Sequence, residues 1–215
     1  MRGKLVVFEG LDRAGKSTQC ARLVEKLEQN GHKVRHMRFP DRTTPIGQVI
    51  DKYLKEQADQ EDHVIHLLFT ANRWEASASV RSAVESGETV VIDRYYYSGC
   101  VYSAAKGNPS LDLVWARRPE VGLPRPDICI FLDISTDAAA KRGGFGEEKY
   151  ETTGMQKRVQ ELFEAMRNSA DKDDFVSIDA GKPAEEVSGA VWKAISAAFE
   201  RVDTSGAPLG VVESW

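Results

Sequence analysis

The strongest chemical signal in the sequence is a glycine-rich run, Gly10 to Ser17, that matches the phosphate-binding pattern G-x-x-x-x-G-K-[ST] in full. Its glycines permit positive φ angles and let backbone N–H groups point at phosphate oxygens. Lys16 can neutralise the β- and γ-phosphates of a nucleotide, and the Ser17 hydroxyl can bind Mg²⁺. A β–α turn without a ligand is the alternative. An apolar strand before the run and a helix after it favour a nucleotide site.

The residues of this run that we predict to bind ATP are Gly10, Asp12, Arg13, Ala14, Gly15, Lys16, Ser17 and Thr18. A second signal is the apolar run Val90–Ile92, which ends at Asp93. Ligands of open α/β sheets bind beyond the carboxyl ends of the strands, so Asp93 is suitably located to organise a Mg²⁺ shell with Ser17. Many strands end in Asp as a turn or a cap, and only the pairing with the glycine-rich run favours the metal.

Two arginines at strand ends point to an anionic phosphoryl acceptor. Arg94 follows Asp93 directly, and Arg42 follows the run that ends at Phe39. Arginine suits the bidentate grip of a phosphate dianion, although each residue alone could be a surface arginine. The sequence contains no Asn-Lys-x-Asp, the guanine-reading motif of a GTPase.

The whole sequence limits the classes of partner. The formal net charge of the 215 residues is −4, which gives no overall attraction for nucleic acid or for an anionic membrane. The longest N-terminal apolar run, Leu5–Phe8, is too short for a signal peptide or a membrane span. Three cysteines without a C-x-x-C pair indicate a reduced intracellular protein. We therefore predict no nucleic-acid partner and no membrane partner.

The elements that must position these residues alternate between strands and helices. Continuous apolar, β-branched runs are typical of buried strands, and helical spacing lies between them. The predicted strands are Leu5–Phe8, Val34–Phe39, Thr89–Ile92, Ile128–Leu132 and Phe175–Ile178. Alternating elements imply a parallel sheet built from βαβ units, hence an α/β protein with a five-stranded parallel sheet flanked by helices. We predict one domain over residues 1–215, with a glycine-rich lid at about 142–150. In the tail at about 203–215, apolar residues favour packing against that domain.

Five pieces in this order resemble thymidylate kinases over nearly the whole chain. They are Glu9–Thr18, Arg38–Arg42, Leu68–Glu75, Asp93–Tyr95 with Ser98-Gly99, and the loop from Arg142 to Tyr150. The arginine within the glycine-rich run, and a lid without arginine between Gly143 and Lys149, are similar to the eukaryotic type. The resemblance implies the three-layer P-loop nucleoside monophosphate kinase fold and transfer of the γ-phosphoryl group of ATP to thymidine monophosphate, in dTTP biosynthesis.

The resemblance also implies roles for individual residues. Asp12 accepts from the 3′-hydroxyl of the acceptor, Arg42 and Arg94 hold its 5′-phosphate, Phe69 stacks on thymine, and Arg73 donates to a base carbonyl. The other residues implied at the acceptor are Phe39, Ser98, Gly99, Tyr102, Tyr150 and Gln156. Those implied around adenine are Arg142, Gly181 and Lys182. The implied catalytic group is Arg13, Lys16, Asp93 and Arg94, with Mg²⁺ as cofactor.

Three further expectations concern assembly, location and rival functions. Apolar residues all round the segment from Glu61 to Glu85 (Val64, Leu68, Ala71 and Ala78 among them) predict a homodimer through this helix, as the resemblance does. The expected location is the cytoplasm, with the nucleus as a second compartment. The rivals are a deoxynucleoside kinase and a nucleotide-dependent switch. A deoxynucleoside kinase would carry a carboxylate base near a neutral hydroxyl. Two residues also have alternative roles. Without the resemblance, the sequence favours a core position for Phe69. For Arg13, the alternative to a catalytic role is a solvated arginine that only improves ATP affinity.

Overall fold

A computed structural model describes residues 1–142 and 148–215. The strands are β1 (Leu5–Gly10), β2 (Val34–Arg38), β3 (Thr89–Asp93), β4 (Ile128–Asp133) and β5 (Phe175–Asp179). The helices are α1 (Lys16–Gln29), α2 (Pro45–Leu54), α3 (Asp62–Glu85), α4 (Tyr96–Ala104), α5 (Leu113–Arg117), α6 (Thr136–Ala140), α7 (Thr153–Arg167) and α8 (Ala184–Ser205). Short 3₁₀ turns cover Arg118–Glu120 and Lys172–Asp174.

The five strands form one parallel sheet in the order β2-β3-β1-β4-β5, which confirms the predicted fold class. Helices α1 and α8 pack together on one face, while α3, α4 and α7 cover the other. The register aligns Phe8 of β1 with Asp93 of β3. Because all strands run the same way, the loops after β1, β2 and β3 meet at one edge of the sheet.

The sheet is less evenly covered than the sequence predicts. The central strands β1 and β3 are buried throughout, as their continuous apolar runs require. The outer strands β2 and β5 are partly exposed, since each has a neighbour on one side only. Alternating polar residues such as Arg35 and Ser177 already mark these two strands as edges.

Local signals determine where the helices begin and end. Gly15 has a φ of 97° immediately before α1, and Gly31 has a φ of 81° just after it. The Thr44 side chain caps α2 by accepting from the N–H of Gly47 at 3.0 Å. Acidic residues in the first turn of α8, Glu185 and Glu186, complement the helix dipole.

The C-terminal residues pack against the rest of the chain. Helix α8 continues to Ser205, so the first part of the predicted tail is helical. Beyond it, Val211 forms an antiparallel bridge with Pro124, and Val212 is buried. The Trp215 indole N–H donates to Asp171 at 3.3 Å.

Within the described ranges, no helix is both long and apolar enough to cross a lipid bilayer.

Candidate active site

A cleft of about 640 Å³ opens at the carboxyl edge of the sheet, within the range usual for small-molecule sites. The predicted site residues that line it are Asp12, Arg13, Gly15, Lys16, Ser17, Thr18, Phe39, Arg42, Phe69, Arg73, Asp93, Arg94, Ser98, Gly99, Tyr102, Arg142 and Tyr150. The lining also includes Arg38, Pro40, Leu54, Tyr95, Ser103, Glu148 and Glu151. One cleft therefore joins the glycine-rich run to both strand-end arginines.

The glycine-rich run forms a tight loop between β1 and α1. Gly10 has a φ of 140°, and a Cβ at this position would lie 2.6 Å from the carbonyl oxygen of Leu132, so only glycine fits. The Lys16 ammonium donates to the carbonyls of Gly10 at 3.0 Å and Leu11 at 2.6 Å. Burial and then the nearby Arg94 cation lower the pKa of Lys16 to about 8. The loop and the start of α1 offer N–H groups to an anion.

The Ser17–Asp93 pair fits a Mg²⁺ site. The Ser17 hydroxyl donates to Asp93 Oδ2 at 2.5 Å. The second carboxylate oxygen, Oδ1, is buried and has no hydrogen-bond partner among the described residues. A buried acceptor of this kind suits a cation or a water in a cation's shell. Within residues 1–142 and 148–215, no group of three His, Cys, Asp or Glu side chains is arranged to hold a metal ion.

Asp12 lies at the centre of a donor network in the acceptor half of the cleft. Its carboxylate pairs with Arg94 and accepts from the Tyr102 hydroxyl at 2.9 Å and from Gln156 Nε2 at 2.7 Å. Burial by itself would raise the pKa of Asp12, but the Arg94 and Lys16 cations and these hydrogen bonds hold it below its usual value. Asp12 is therefore a fixed anion that orients Arg94 and Tyr102.

The far end of the cleft combines an aromatic ring with a buried guanidinium. Phe69 and Arg73 are one turn apart on α3. Arg73 is 3% exposed and pairs with the fully buried Glu120, its Nε donating at 3.0 Å. A Cβ on Gly99 would lie within 3.0 Å of three Arg73 guanidinium atoms, so a glycine is required where α4 passes this side chain.

Three further arginines at the cleft are held by protein acceptors. Arg42 pairs with Asp51 at 2.8 Å and with Glu148 at 2.6 Å. Arg13 pairs with Glu151 at 3.0 Å. Arg142 donates to the carbonyls of Arg13 at 2.8 Å and Ala180 at 2.7 Å, which brings the end of β5 beside the phosphate loop. With Arg38, Arg73 and Arg94, six arginines line the cleft among the described residues.

Five predicted site residues do not line the cleft that the described residues form: Gly10, Ala14, Gln156, Gly181 and Lys182. Gln156 is buried behind Asp12, and its Oε1 accepts from the Asp12 N–H at 3.2 Å. Gly181 and Lys182 are exposed and follow the Ala180 carbonyl that accepts from Arg142. Of the predicted lid, residues 143–147 lie outside the described residues.

Sequence reasoning missed three carboxylates that hold the site together: Glu9, Glu120 and Glu151. Glu9 could have been found, because an acidic residue inside an apolar strand run needs a buried partner. Glu120 and Glu151 lie in segments without a motif, and only the fold brings them to Arg73 and Arg13.

The comparisons with known proteins agree with one another. The thymidylate kinase family model matches residues 8–191. A thymidylate kinase from Danio rerio is 47% identical over 186 residues, 86% of each chain, and one from Homo sapiens is 45% identical over the same shares. A solved thymidylate kinase structure from Candida albicans is similar with a TM-score of 0.85 and 32% identity, and the match covers 99% of both chains. The chain therefore belongs to the thymidylate kinase family.

Proposed function

We propose that this protein transfers the γ-phosphoryl group of ATP to thymidine monophosphate, giving ADP and thymidine diphosphate for dTTP biosynthesis. The carrying observation is the single cleft in which a phosphate-binding loop faces arginines at an acceptor end closed by Phe69 and Arg73. The relatives' names agree with this reaction.

The chemistry requires alignment and charge neutralisation rather than a strong base. An oxygen of the acceptor 5′-phosphate, already anionic, forms the new bond to the γ-phosphorus, and the bond from that phosphorus to the β–γ bridging oxygen breaks. In this proposal Lys16 neutralises the β- and γ-phosphates, while Arg94 orients the attacking phosphate against the anchor of Asp12. Arg13 stabilises charge on the transferring group, as an arginine finger supplied in cis does.

Mg²⁺ is the proposed cofactor, held by the Ser17 hydroxyl and the Asp93 carboxylate. The buried Asp93 Oδ1, for which residues 1–142 and 148–215 supply no hydrogen-bond partner, supports this assignment. When bound, Mg²⁺ neutralises phosphate charge and fixes the geometry of the β- and γ-phosphates.

Acceptor recognition follows from the side chains at the far end of the cleft. Phe69 offers a stacking face to the base, a contact worth about 1–3 kcal/mol per base by alanine substitution. Arg73 donates to a carbonyl at the position where cytosine carries an amine. Arg42 holds the 5′-phosphate after exchanging Asp51 and Glu148 for phosphate oxygens, which can accept from both ends of the guanidinium.

A phosphorylation assay discriminates between the three candidate functions. ADP release is measured with ATP alone, with thymidine, and with thymidine monophosphate. A thymidylate kinase requires the monophosphate, a deoxynucleoside kinase requires the nucleoside, and a nucleotide-dependent switch releases ADP at the same slow rate in all three. We expect release that depends on thymidine monophosphate. Equal or greater release with thymidine would overturn the proposal.

The proposed assembly is a homodimer through α3. An apolar stripe at helical spacing follows one face of this helix: Val64, Leu67, Ala71, Trp74 and Ala78. Val64, Leu67 and Trp74 are 45%, 46% and 41% exposed, which is costly for three large apolar side chains on one face. Leu68, which the sequence groups with this patch, is half-buried against Ile50, Tyr53, Leu54 and Ile65.

A second copy of the same stripe is the partner that fits, because a two-fold interface matches one patch to itself. We expect Leu67→Glu to convert a dimer to a monomer by light scattering at micromolar concentration. Val176→Glu, at a valine of β5 that is 38% exposed, is the matched control and should leave the mass unchanged. A monomeric wild-type protein would refute the dimer.

The proposed location is the cytoplasm, with the nucleus as a second compartment. Cys20, Cys100 and Cys129 are all free and buried, which supports a reducing environment.

A further inference from the structure

Glu9 is a fully buried carboxylate directly behind the acceptor half of the cleft. It is the fifth residue of β1, with no exposed surface, and it does not line the cleft. Its Oε1 accepts from the backbone N–H groups of Tyr95 at 2.9 Å and Ser98 at 3.0 Å. Its Oε2 accepts from the Ser98 hydroxyl. The two N–H groups and the hydroxyl all donate to Glu9, an arrangement that suits an ionised carboxylate because its oxygens only accept.

These contacts make Glu9 the N-terminal cap of α4. The residue at the cap position, Tyr95, supplies no side-chain hydrogen bond to the helix. An N-terminal helix end presents free N–H groups that need acceptors. Glu9 supplies the acceptor from a neighbouring strand, and the negative charge also complements the helix dipole.

The same cap holds the turn that carries Arg94. Arg94 has a φ of 66°, in the left-handed region that non-glycine residues adopt only when surrounding contacts enforce it. At the start of this turn, the Arg94 N–H donates to the Phe8 carbonyl at 3.0 Å. After the turn, Glu9 accepts from the N–H groups of Tyr95 and Ser98. Residues of β1 therefore hold the turn on both sides.

Glu9 also determines which way the Ser98 hydroxyl points. A hydroxyl has one proton and two lone pairs. Because the Ser98 proton is donated to Glu9, the lone pairs are free to accept from Arg94 Nη1, which lies 3.2 Å from the Ser98 oxygen. Burial raises the pKa of Glu9 above its usual value, and the Arg94 cation and the hydrogen bonds offset only part of that rise. The three hydrogen bonds that Glu9 accepts leave its Oε2 as the acceptor that maintains this proton direction.

We propose that Glu9 is a positioning residue that orients the Arg94 guanidinium through the Ser98 hydroxyl. This inference rests on the proposed function, because Arg94 there holds and aligns the acceptor phosphate. Glu9 itself touches neither substrate. Ser98 fixes one edge of the guanidinium and Asp12 the other, so the fork faces the cleft in one orientation.

Three variants and one control test the link. Glu9→Gln keeps the shape and one acceptor for the two backbone N–H groups, but its amide N–H donates to Ser98, so the Ser98 proton is no longer held away from Arg94 and one lone pair is occupied. Ser98→Ala removes the hydroxyl, and the double variant combines both changes. Asp174→Asn is the matched control: Asp174 is also a buried carboxylate bound to α4, but it accepts from the Tyr97 hydroxyl, at 2.6 Å.

We expect Glu9→Gln to lower kcat/KM for thymidine monophosphate by about ten- to a hundredfold, as loss of one hydrogen bond to a charged group does, with KM for ATP within about twofold. Ser98→Ala should give a similar loss. Because Glu9 acts through Ser98, kcat/KM for thymidine monophosphate in the double variant should be within about twofold of that in the less active single variant. Asp174→Asn should lower the melting temperature and leave both KM values unchanged.

If the losses of kcat/KM in the two single variants multiply in the double variant, the inference is overturned. It is also overturned if Glu9→Gln, like Asp174→Asn, lowers only the melting temperature and leaves the kinetics unchanged. A wild-type protein that releases no ADP in response to thymidine monophosphate would instead overturn the proposed function.

Discussion

Replacing Arg13 by glycine separates a catalytic arginine from a binding arginine with little disturbance of the fold. Arg13 has a φ of 64°, in the left-handed region. A non-glycine residue there costs roughly 1–2 kcal/mol, which glycine does not incur. Arg13→Gly therefore removes the guanidinium and also relieves backbone strain, whereas Arg13→Ala removes the guanidinium and keeps the strain.

The stability cost of Arg13→Gly is small because two terms oppose each other. The lost ion pair with Glu151 joins an arginine side chain that is 30% exposed to a carboxylate that is 8% exposed, so it contributes about 1–2 kcal/mol, between the values for surface and buried pairs. The relief of strain has a similar size and the opposite sign. We expect the free energy of unfolding to change by less than about 1 kcal/mol, and the melting temperature by less than about 4 °C.

The kinetic change should be large in comparison. Arginine fingers contribute about 10³–10⁵ to kcat in related chemistry, and we expect at least about a hundredfold loss for Arg13→Gly. A group acting only in the transition state lowers kcat and kcat/KM together, so KM for ATP should change little. Steady-state kinetics at saturating thymidine monophosphate measure both parameters.

Arg13→Ala is the control for the backbone. It should show the same loss of kcat as Arg13→Gly. Because alanine keeps the backbone strain, its free energy of unfolding should be about 1–2 kcal/mol lower than that of Arg13→Gly. A glycine variant with near-normal kcat and a raised KM for ATP would refute the catalytic role and leave Arg13 as an ATP-binding residue.

Three further predictions address the base pocket and the phosphate loop. Arg73→Met leaves Glu120 as an unpaired buried charge and should lower the free energy of unfolding by about 3–5 kcal/mol. Adding Glu120→Gln should restore much of that loss while KM for thymidine monophosphate stays high; if KM recovers with stability, Arg73 has only a structural role. Since the pKa of Lys16 is about 8, ATP affinity should fall by up to about tenfold per pH unit above that value, and calorimetry should find no such fall in Lys16→Met. In the ligand-free protein, Lys16 is largely neutral in the native state but still protonated in the unfolded state between pH about 8 and the ordinary lysine pKa. The free energy of unfolding should therefore rise with pH through this window.

Sequence patterns predict those parts of the site that depend on local geometry. The loop from Gly10 to Ser17 follows from its own residue types, since the glycines determine the turn and the helix start. The convergence of Asp93 and Arg94 on that loop follows from parallel topology alone, because strands that run the same way end at the same edge.

The partners of the site residues could not be predicted in this way. Glu120 reaches Arg73 across 47 positions of the sequence, and Glu151 reaches Arg13 across 138, so no local pattern connects them. The same limit applies to Leu68, whose periodicity on α3 does not reveal that α2 covers it. Long-range packing decides which apolar face of a helix stays exposed.

The central claim, phosphoryl transfer from ATP to the phosphate of thymidine monophosphate, is tested most directly by following the γ-phosphorus itself. The protein is incubated with ATP labelled with ³²P at the γ-position, thymidine monophosphate and Mg²⁺, and the nucleotides are separated. We expect the label in thymidine diphosphate, in an amount equal to the ADP formed, and none of it after Asp93→Asn and Lys16→Met are combined. Label recovered only as inorganic phosphate, or in thymidine monophosphate when thymidine is supplied, would contradict the proposed reaction.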